Sequence, residues 1–325
     1  MTLPLVRSAL LRSAAWSLGA VLVAAVAGLV RVLPWVLDPE VPWRVALPFA
    51  RSLLAIAIEA AVLVGWPVGA ALACHAAADR GEARVLSLLG ERASRTALRL
   101  VPQSLVFAAL VAAASVASGL DASAPGAVAN ELLAQGRVAC ARAAAPVTYA
   151  VPLVGATWLC GPDQAPRLYG HAPGAMSGVV FSAAQARVSG DLRGIDLDDA
   201  RLLLGTPDAP RQVRVRKLVL RGLAPWASAS TLPPWSRALI TAASGLTSAL
   251  IASWSCLRRA SRWPIAAIAV GAAGPLSALG TLRALERASA TTPTFFVAPV
   301  VACAITLLAA AVVSRLGLSR RSGAH

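Results

Sequence analysis

Six long runs of hydrophobic residues divide the chain, and polar residues are concentrated in the segments between them. The runs cover residues 13–30, 50–73, 101–120, 238–257, 263–282 and 293–314. Each has the roughly 17–25 residues that a tilted helix needs to cross the hydrocarbon core of a bilayer. The pattern therefore predicts six transmembrane helices in two groups of three.

The first run also has features of a signal peptide. Arg7 and Arg12 precede it, and the small residues Ala25 and Ala27 lie near its end. However, its uncharged stretch is longer than the roughly 7–15 residues of a usual signal-peptide core. We therefore expect a retained first helix, with cleavage as the alternative.

The segment 121–237, between the two groups of runs, differs from the rest of the chain. It is richer in charge, glycine and proline, and β-branched or alternating stretches recur between turn signals. The expected strands are 147–159, 179–188, 195–204 and 213–220. The predicted fold is a helical membrane protein (helices in 1–120 and 238–325) with an inserted β-jelly-roll or sandwich domain.

Charge sets the expected orientation. The net charge is +15, and it comes almost wholly from arginine because Lys217 is the only lysine. Arginines cluster in the N-terminal segment, in the loops after the second and fourth runs, and in the tail, whereas the alternate loops have fewer. This positive-inside pattern predicts cytoplasmic termini and places 121–237 on the opposite side of the membrane. It also explains the charge without a nucleic-acid partner.

Residues that could support catalysis are scarce. A nucleotide-binding P-loop needs a lysine after its glycines, and Lys217 lies in a strand-like stretch instead. Three histidines are too few and too scattered for a zinc site. The segment from Gly174 to Gly178 misses the serine-hydrolase turn by one position. We expect no catalytic residue, no metal and no cofactor; an enzyme of lipid modification is a remote alternative.

The loop after the second run, residues 75–90, combines charge with an apolar stripe. On a helix that begins near Asp79, the stripe consists of Val85, Leu86, Leu88 and Leu89, and charged residues flank it. An amphipathic helix in such a loop can dock into a groove of a partner protein or lie on lipid headgroups. The residues alone leave both possibilities open.

This loop resembles a turn of the LptF/LptG family, the membrane subunits of the lipopolysaccharide-export ABC transporter. The shared residues are Asp79-Arg80-Gly81-Glu82, with Gly90 eight residues after the glutamate. The three-plus-three layout with cytoplasmic termini resembles that family over essentially the whole chain, and residues 178–186 resemble its jelly-roll strands. Ser87, Glu91-Arg92 and the late Pro102 depart from the family pattern.

The resemblance implies a site and partners. Residues about 79–92 would be a coupling helix that enters a groove on a cytoplasmic ATPase subunit. Glu82 would be the main polar contact, supported by Arg84, Leu86 and Leu89, and Gly90 would also belong to the coupling site. Further implied partners are a second permease subunit (a paralogue or a second copy), a periplasmic lipid-bridge protein and the lipid. The implied location is the inner membrane of a bacterium.

Arginines near the predicted outer ends of the first two helices are candidates for binding lipid phosphate. Arg31 follows the first run, and Arg44 precedes the second. Guanidinium groups suit phosphates because they carry forked, permanently charged donors. The alternative is that these side chains only anchor helix ends at the interface.

Two other features stay open at this stage. Glu59 is the only acid well inside a run, so we expect either a paired partner, with Arg51 two turns away as a candidate, or a protonated packing residue. Cys140 and Cys160 both lie in 121–237, where an oxidising compartment would allow a disulfide. Cys74, Cys256 and Cys303 are expected to be apolar packing residues.

The resemblance thus implies a transport subunit without its own catalytic site, which extracts lipopolysaccharide or a related amphiphilic lipid. ATP hydrolysis in the partner would drive it. The alternatives are a permease for another lipid or a lipoprotein, and a non-transporting membrane scaffold with a binding module outside the cytoplasm.

Overall fold

The computed structural model describes residues 3–36, 43–120, 123–151, 154–161, 164–172, 179–190, 192–204, 211–221, 232–258, 263–288 and 290–319. The chain forms two compact units. The helical unit comprises Met1–Val30, Leu54–Leu120 and Thr231–His325, and the sheet unit comprises Arg31–Leu53 and Asp121–Ser230.

The described residues contain nine α-helices and a short 3-10 helix, Thr292–Phe296. The α-helices are α1 (Leu3–Val36), α2 (Trp43–Asp79), α3 (Glu82–Leu88), α4 (Ala93–Leu98), α5 (Val101–Leu120), α6 (Ala124–Arg142), α7 (Pro234–Arg258), α8 (Pro264–Arg287) and α9 (Val297–Ser319).

Six stretches are long and apolar enough to cross a membrane, as the sequence predicts. They are Pro4–Gly28, Ala46–Asp79, Val101–Arg142, Pro234–Arg258, Pro264–Glu286 and Thr292–Arg315. Within the third stretch, the predicted run corresponds to α5, Val101–Leu120. The described residues therefore contain the six predicted helices that could span a membrane, which is consistent with a multi-pass membrane protein.

Helix α2 packs against α1 through two glycines spaced four residues apart. A Cβ built on Gly65 would lie 2.7 Å from the backbone of Ser17, and one built on Gly69 would lie 2.4 Å from the backbone of Ser13. The hydroxyl of Ser13 donates to the carbonyl of Trp66 at 3.1 Å. Small residues let helix backbones approach closely, and this is a main source of packing energy between apolar helices.

The remaining sides of α2 contact helices from both halves of the chain. Trp66 stacks on Phe107 of α5, with ring centroids 5.9 Å apart. The Trp66 ring occupies the space that a side chain at Gly245 of α7 would need, because a Cβ built on Gly245 would lie 2.8 Å from the ring. Gly271 of α8 lies against the backbone of Val68 in the same way. Helix α2 therefore lies at the centre of the helical unit.

The sheet unit contains one seven-stranded antiparallel sheet that curls into a half-barrel. Its strands are β1 (Val147–Val151), β2 (Ala156–Gly161), β3 (Gln164–His171), β4 (Val180–Ala183), β5 (Gln185–Val188), β6 (Gly194–Leu204) and β7 (Arg211–Arg221). Strands β4 and β5 pair with consecutive parts of one edge of β6, and β7 pairs with the other edge. The order of strands in the sheet is β1-β2-β3-β4-β6-β5, and β7 pairs with β6 off this path.

The sheet bends where β5 begins. The buried side chains of β6 alternate as Ile195 and Leu197 and then shift by one residue to Ala200 and Leu202, and at the shift Asp199 has a φ of +49°. In β7 the alternation of buried and exposed side chains is interrupted at Lys217, which pairs with the same part of β6. One apolar face thus continues on both sides of the bend.

Two arginines hold Asp199 at the bend. Arg214 Nε donates to Asp199 Oδ1 at 2.7 Å, and Arg167 Nη1 lies 3.3 Å from Asp199 Oδ2. The hydrogen bond from Arg214, and then the charges of Arg214 and Arg167, hold the pKa of Asp199 below its usual range. A lowered carboxyl pKa stabilises the fold at neutral pH, and this contribution is lost as the pH falls through that pKa.

Helix α6 covers the apolar face of the sheet. Ala129 and Leu133 join the buried cluster of the sheet, and the Asn130 side chain exchanges two hydrogen bonds, of 2.8 and 2.9 Å, with the backbone of Val188. Cys140 of α6 and Cys160 of β2 form a disulfide. This helix was missed, because the sequence analysis assigned no element to residues 121–146. The predicted strands are present, but the described part of the chain shows a sheet backed by a helix, and a jelly roll is not confirmed.

The glycine contact between α1 and α2 generates a prediction. Gly69→Leu should lower the melting temperature of the purified protein in detergent, because its Cβ would lie 2.4 Å from the Ser13 backbone. Gly19→Leu is the matched control, since no atom lies within 4 Å of its Cβ position. Equal melting temperatures for the two variants would contradict the packing.

The disulfide generates a second prediction. Cys140→Ser combined with Cys160→Ser should lower the free energy of unfolding by about 3 kcal/mol, because a cross-link over 20 residues restricts the unfolded chain. Urea titration monitored by tryptophan fluorescence measures the change, since Trp158 is buried beside this disulfide. Cys303→Ser is the control and should leave the midpoint unchanged.

Candidate functional site

Two left-handed glycines bound the short helix of the predicted coupling loop. Gly81 precedes α3 with a φ of 80°, and Gly90 follows it with a φ of 79°. Residues with a side chain rarely adopt this conformation, whereas glycine does so without steric cost. Both glycines of the family-like turn therefore have a structural reason to be glycine.

The end of α3 has the hydrogen bonds of a Schellman motif. The N–H of Gly90 donates to the carbonyl of Ser87 at 3.1 Å, and the N–H of Glu91 donates to the carbonyl of Leu86 at 2.9 Å. These two bonds satisfy carbonyls that a helix end leaves unpaired. Gly90 thus closes the C-terminal turn of α3.

The exposed face of α3 is apolar. Val85, Leu88 and Leu89 are 47%, 87% and 65% exposed, and their spacing of three and four residues puts them on one side of the helix. Leu86 is half-buried, and Ala83 packs against the buried cluster of the helical unit. Of the two leucines that the resemblance singled out, Leu89 lies on the exposed face and Leu86 does not. Leu88 was in the predicted stripe but not among the candidate contacts.

The charged residues of the loop pair with one another. Arg80 Nε donates to Glu82 Oε1 at 2.6 Å, and Glu91 pairs with Arg99. Arg84 is exposed. Ion pairs at an exposed site contribute little to stability, so Glu82 could exchange Arg80 for a partner's cation at small cost.

The loop is directly continuous with the buried centre of the helical unit. Helix α2 runs without interruption to Asp79, and Glu59 lies about 30 Å before that end at 1.5 Å per residue. His75 is buried, and its Nε2 lies 3.3 Å from Asp79 Oδ2 in the last turn of α2. The helix that carries Glu59 therefore ends two residues before Gly81, which precedes α3.

Glu59 forms a buried ion pair with Arg237 of α7. Arg237 Nε and Nη2 donate to Glu59 Oε1 and Oε2, both at 3.0 Å, and Glu59 is 1% exposed. Ser115 of α5 donates to Glu59 Oε1 at 2.9 Å and lies 3.0 Å from Thr241 Oγ1. The partner of Glu59 is therefore Arg237, not Arg51.

This network joins three helices. Glu59 belongs to α2, Ser115 to α5 and Arg237 to α7, so it connects the first group of helices to the second. An unpaired charge is costly in apolar surroundings, and a forked guanidinium matches both carboxylate oxygens. The sequence analysis missed Arg237 because it assigned this residue to the end of the inserted domain. The available signal was an acid inside one apolar run and an arginine at the start of another.

The structure describes only one of the two predicted phosphate-binding side chains. Arg44 is exposed at the start of α2, and the side chain of Arg31 lies outside the described residues. In that part of the chain, no three His, Cys, Asp or Glu side chains are grouped so as to hold a metal ion.

Comparisons with known proteins add no assignment. No family model matches the chain, and no curated protein is significantly similar to it.

The buried network generates a prediction. Glu59→Gln should destabilise the protein by about 3–5 kcal/mol, because it keeps the shape of the side chain but leaves the Arg237 charge buried and unpaired. The double change Glu59→Leu with Arg237→Leu should restore most of this loss, since it removes both charges. Thermal unfolding in detergent measures both variants. A Glu59→Gln protein as stable as the unchanged chain would contradict the ion pair.

Proposed function

We propose that the chain is a permease subunit of an ABC transporter that extracts lipopolysaccharide, or a related amphiphilic lipid, from the bacterial inner membrane. The observation that carries the proposal is helix α3. It exposes an apolar face at the end of a long apolar helix, and the two glycines around it occupy the positions that resemble the LptF/LptG turn. Such a helix has the form of a plug for a groove on a partner.

The distribution of charge and cysteine supports the expected orientation. Arginines are dense in the loop that contains α3, as in cytoplasmic loops. The Cys140–Cys160 disulfide lies in the inserted segment, and disulfides persist in oxidising compartments such as the periplasm. Both features agree with cytoplasmic termini and a periplasmic sheet unit.

In the proposed mechanism, ATP hydrolysis in the partner displaces α3. Helix α2 carries the displacement to Glu59, whose bonds to Arg237 and Ser115 pass it to α7 and α5. A cavity between this subunit and a second permease would then open and close around the lipid. Arg31 and Arg44 would meet its phosphates at the entrance.

The sheet unit would pass the lipid to a periplasmic bridge protein, as the jelly roll does in the family that the sequence resembles. Its apolar face is covered by α6 in the described residues. Acyl chains would reach this face only if α6 moved aside. A non-transporting scaffold is the second candidate function, and this covered face favours it.

A photo-crosslinking amino acid at Leu88 tests the proposal in cells. We expect an ABC ATPase subunit as the cross-linked protein, because Leu88 is the most exposed apolar residue of α3. The same probe at Leu98 of α4, which is also exposed, is the control for position in the loop. Adding Val85→Asp should reduce the Leu88 product about tenfold by placing a charge in the docked face.

Two outcomes would contradict the proposal. Cross-links from Leu88 to lipid alone would leave α3 as a helix on the membrane surface. Labelling of a Ser87→Cys variant by an impermeant reagent added to the periplasm would place the loop on the side that no cytoplasmic ATPase reaches.

A further inference from the structure

The sheet has a second face, opposite α6, with a strong excess of positive charge. We call it the open face; its side chains come from β2 to β7. Among the described side chains, seven arginines and lysines lie on this side together with three carboxylates, Asp196, Asp198 and Asp199. An excess of one sign on one face produces a local field that attracts counter-charges.

Part of this positive charge is matched by carboxylates of the sheet, because the register also sets Lys217 opposite Asp198 and Arg187 opposite Asp196. Arg167 and Arg214 are occupied by Asp199. The other five basic residues form no ion pair within the described residues; they are Arg187, Arg201, Arg216, Lys217 and Arg221.

The strand register places two like charges opposite each other. Arg201 of β6 is the direct cross-strand partner of Arg214 of β7. Like charges in this position destabilise a sheet. Asp199, which accepts from Arg214 Nε at 2.7 Å, offsets the charge of Arg214, whereas Arg201 forms no ion pair within the described residues. The bend increases the density of charge, because the neighbours Arg216 and Lys217 are both exposed there.

Aliphatic side chains lie among the cations of the open face. Leu159, Leu203 and Val219 are 43%, 43% and 51% exposed, and their neighbours along and across the strands include Arg167, Arg201 and Lys217. Cations mixed with exposed aliphatic groups are the pattern of surfaces that lie at a lipid interface. A site for free phosphate would have no use for the aliphatic residues.

We propose that the open face binds the headgroups of anionic lipids at a membrane surface, through Arg201, Arg216 and Lys217. The lipid phosphates neutralise the unpaired cations, and Leu203 and Val219 contact the headgroup region. This surface role does not depend on an ATPase partner, so it holds whether or not the chain is a permease.

The test uses the full chain in nanodiscs of phosphatidylcholine alone, whose lipid carries no net charge. Co-flotation with vesicles of phosphatidylcholine, with and without phosphatidylglycerol, measures binding. We expect binding to the phosphatidylglycerol vesicles only. The double change Arg201→Gln with Arg216→Gln should weaken it by about tenfold or more, because each cation near an anionic surface contributes to the attraction. It leaves the Arg214–Asp199 pair intact.

The matched control is Arg137→Gln with Arg142→Gln, which removes two exposed arginines from α6 in the same unit and should leave binding nearly unchanged. Arg201→Lys with Arg216→Lys should retain binding, since the charges remain. Thermal unfolding and disulfide formation verify that each variant is folded.

Four outcomes would overturn the proposal. The first is an absence of binding to phosphatidylglycerol vesicles, and the second is equal binding to vesicles without it. The third is that the double glutamine variants of the sheet and of α6 weaken vesicle binding equally, which would mean that binding depends on the overall charge of the protein. The fourth is displacement by inorganic phosphate at an ionic strength where chloride has no effect, which would indicate a site for the free ion.

Discussion

The ion pair between Glu59 and Arg237 constrains the helical unit more than any other contact. A carboxylate and a guanidinium in apolar surroundings are tolerated only together, so α2 and α7 must lie where the two groups meet. On another side of α2, Gly65 and Gly69 let α1 approach its backbone. One ion pair and two glycines thus determine how α2 packs against its neighbours.

The loop after α2 is attached directly to the helix that carries Glu59. The helix continues from the buried pair to Asp79, and the left-handed glycines then turn the chain into and out of α3. The result is a short, well-capped helix joined to the centre of the helical unit. Its exposed face is apolar, which has a cost in water and therefore implies a covering partner or a lipid surface.

The two faces of the sheet differ for equally simple reasons. A single sheet must bury one apolar face, and α6 does this with help from Asn130 and the Cys140–Cys160 disulfide. The bend at Asp199 keeps that face continuous while it brings charged neighbours together on the other face. A unit built in this way has a closed apolar side and an open basic side, which suits a surface that binds anions.

The sequence alone determined the apolar helices, most strands and the glycines around α3. These features follow from local composition: helix length, alternation and the need for glycine at a positive φ. Tertiary structure decided the partner of Glu59, the disulfide, the role of α6 and which leucines of α3 are exposed. Those depend on contacts between distant segments, such as the 178 residues between Glu59 and Arg237, which no local pattern encodes.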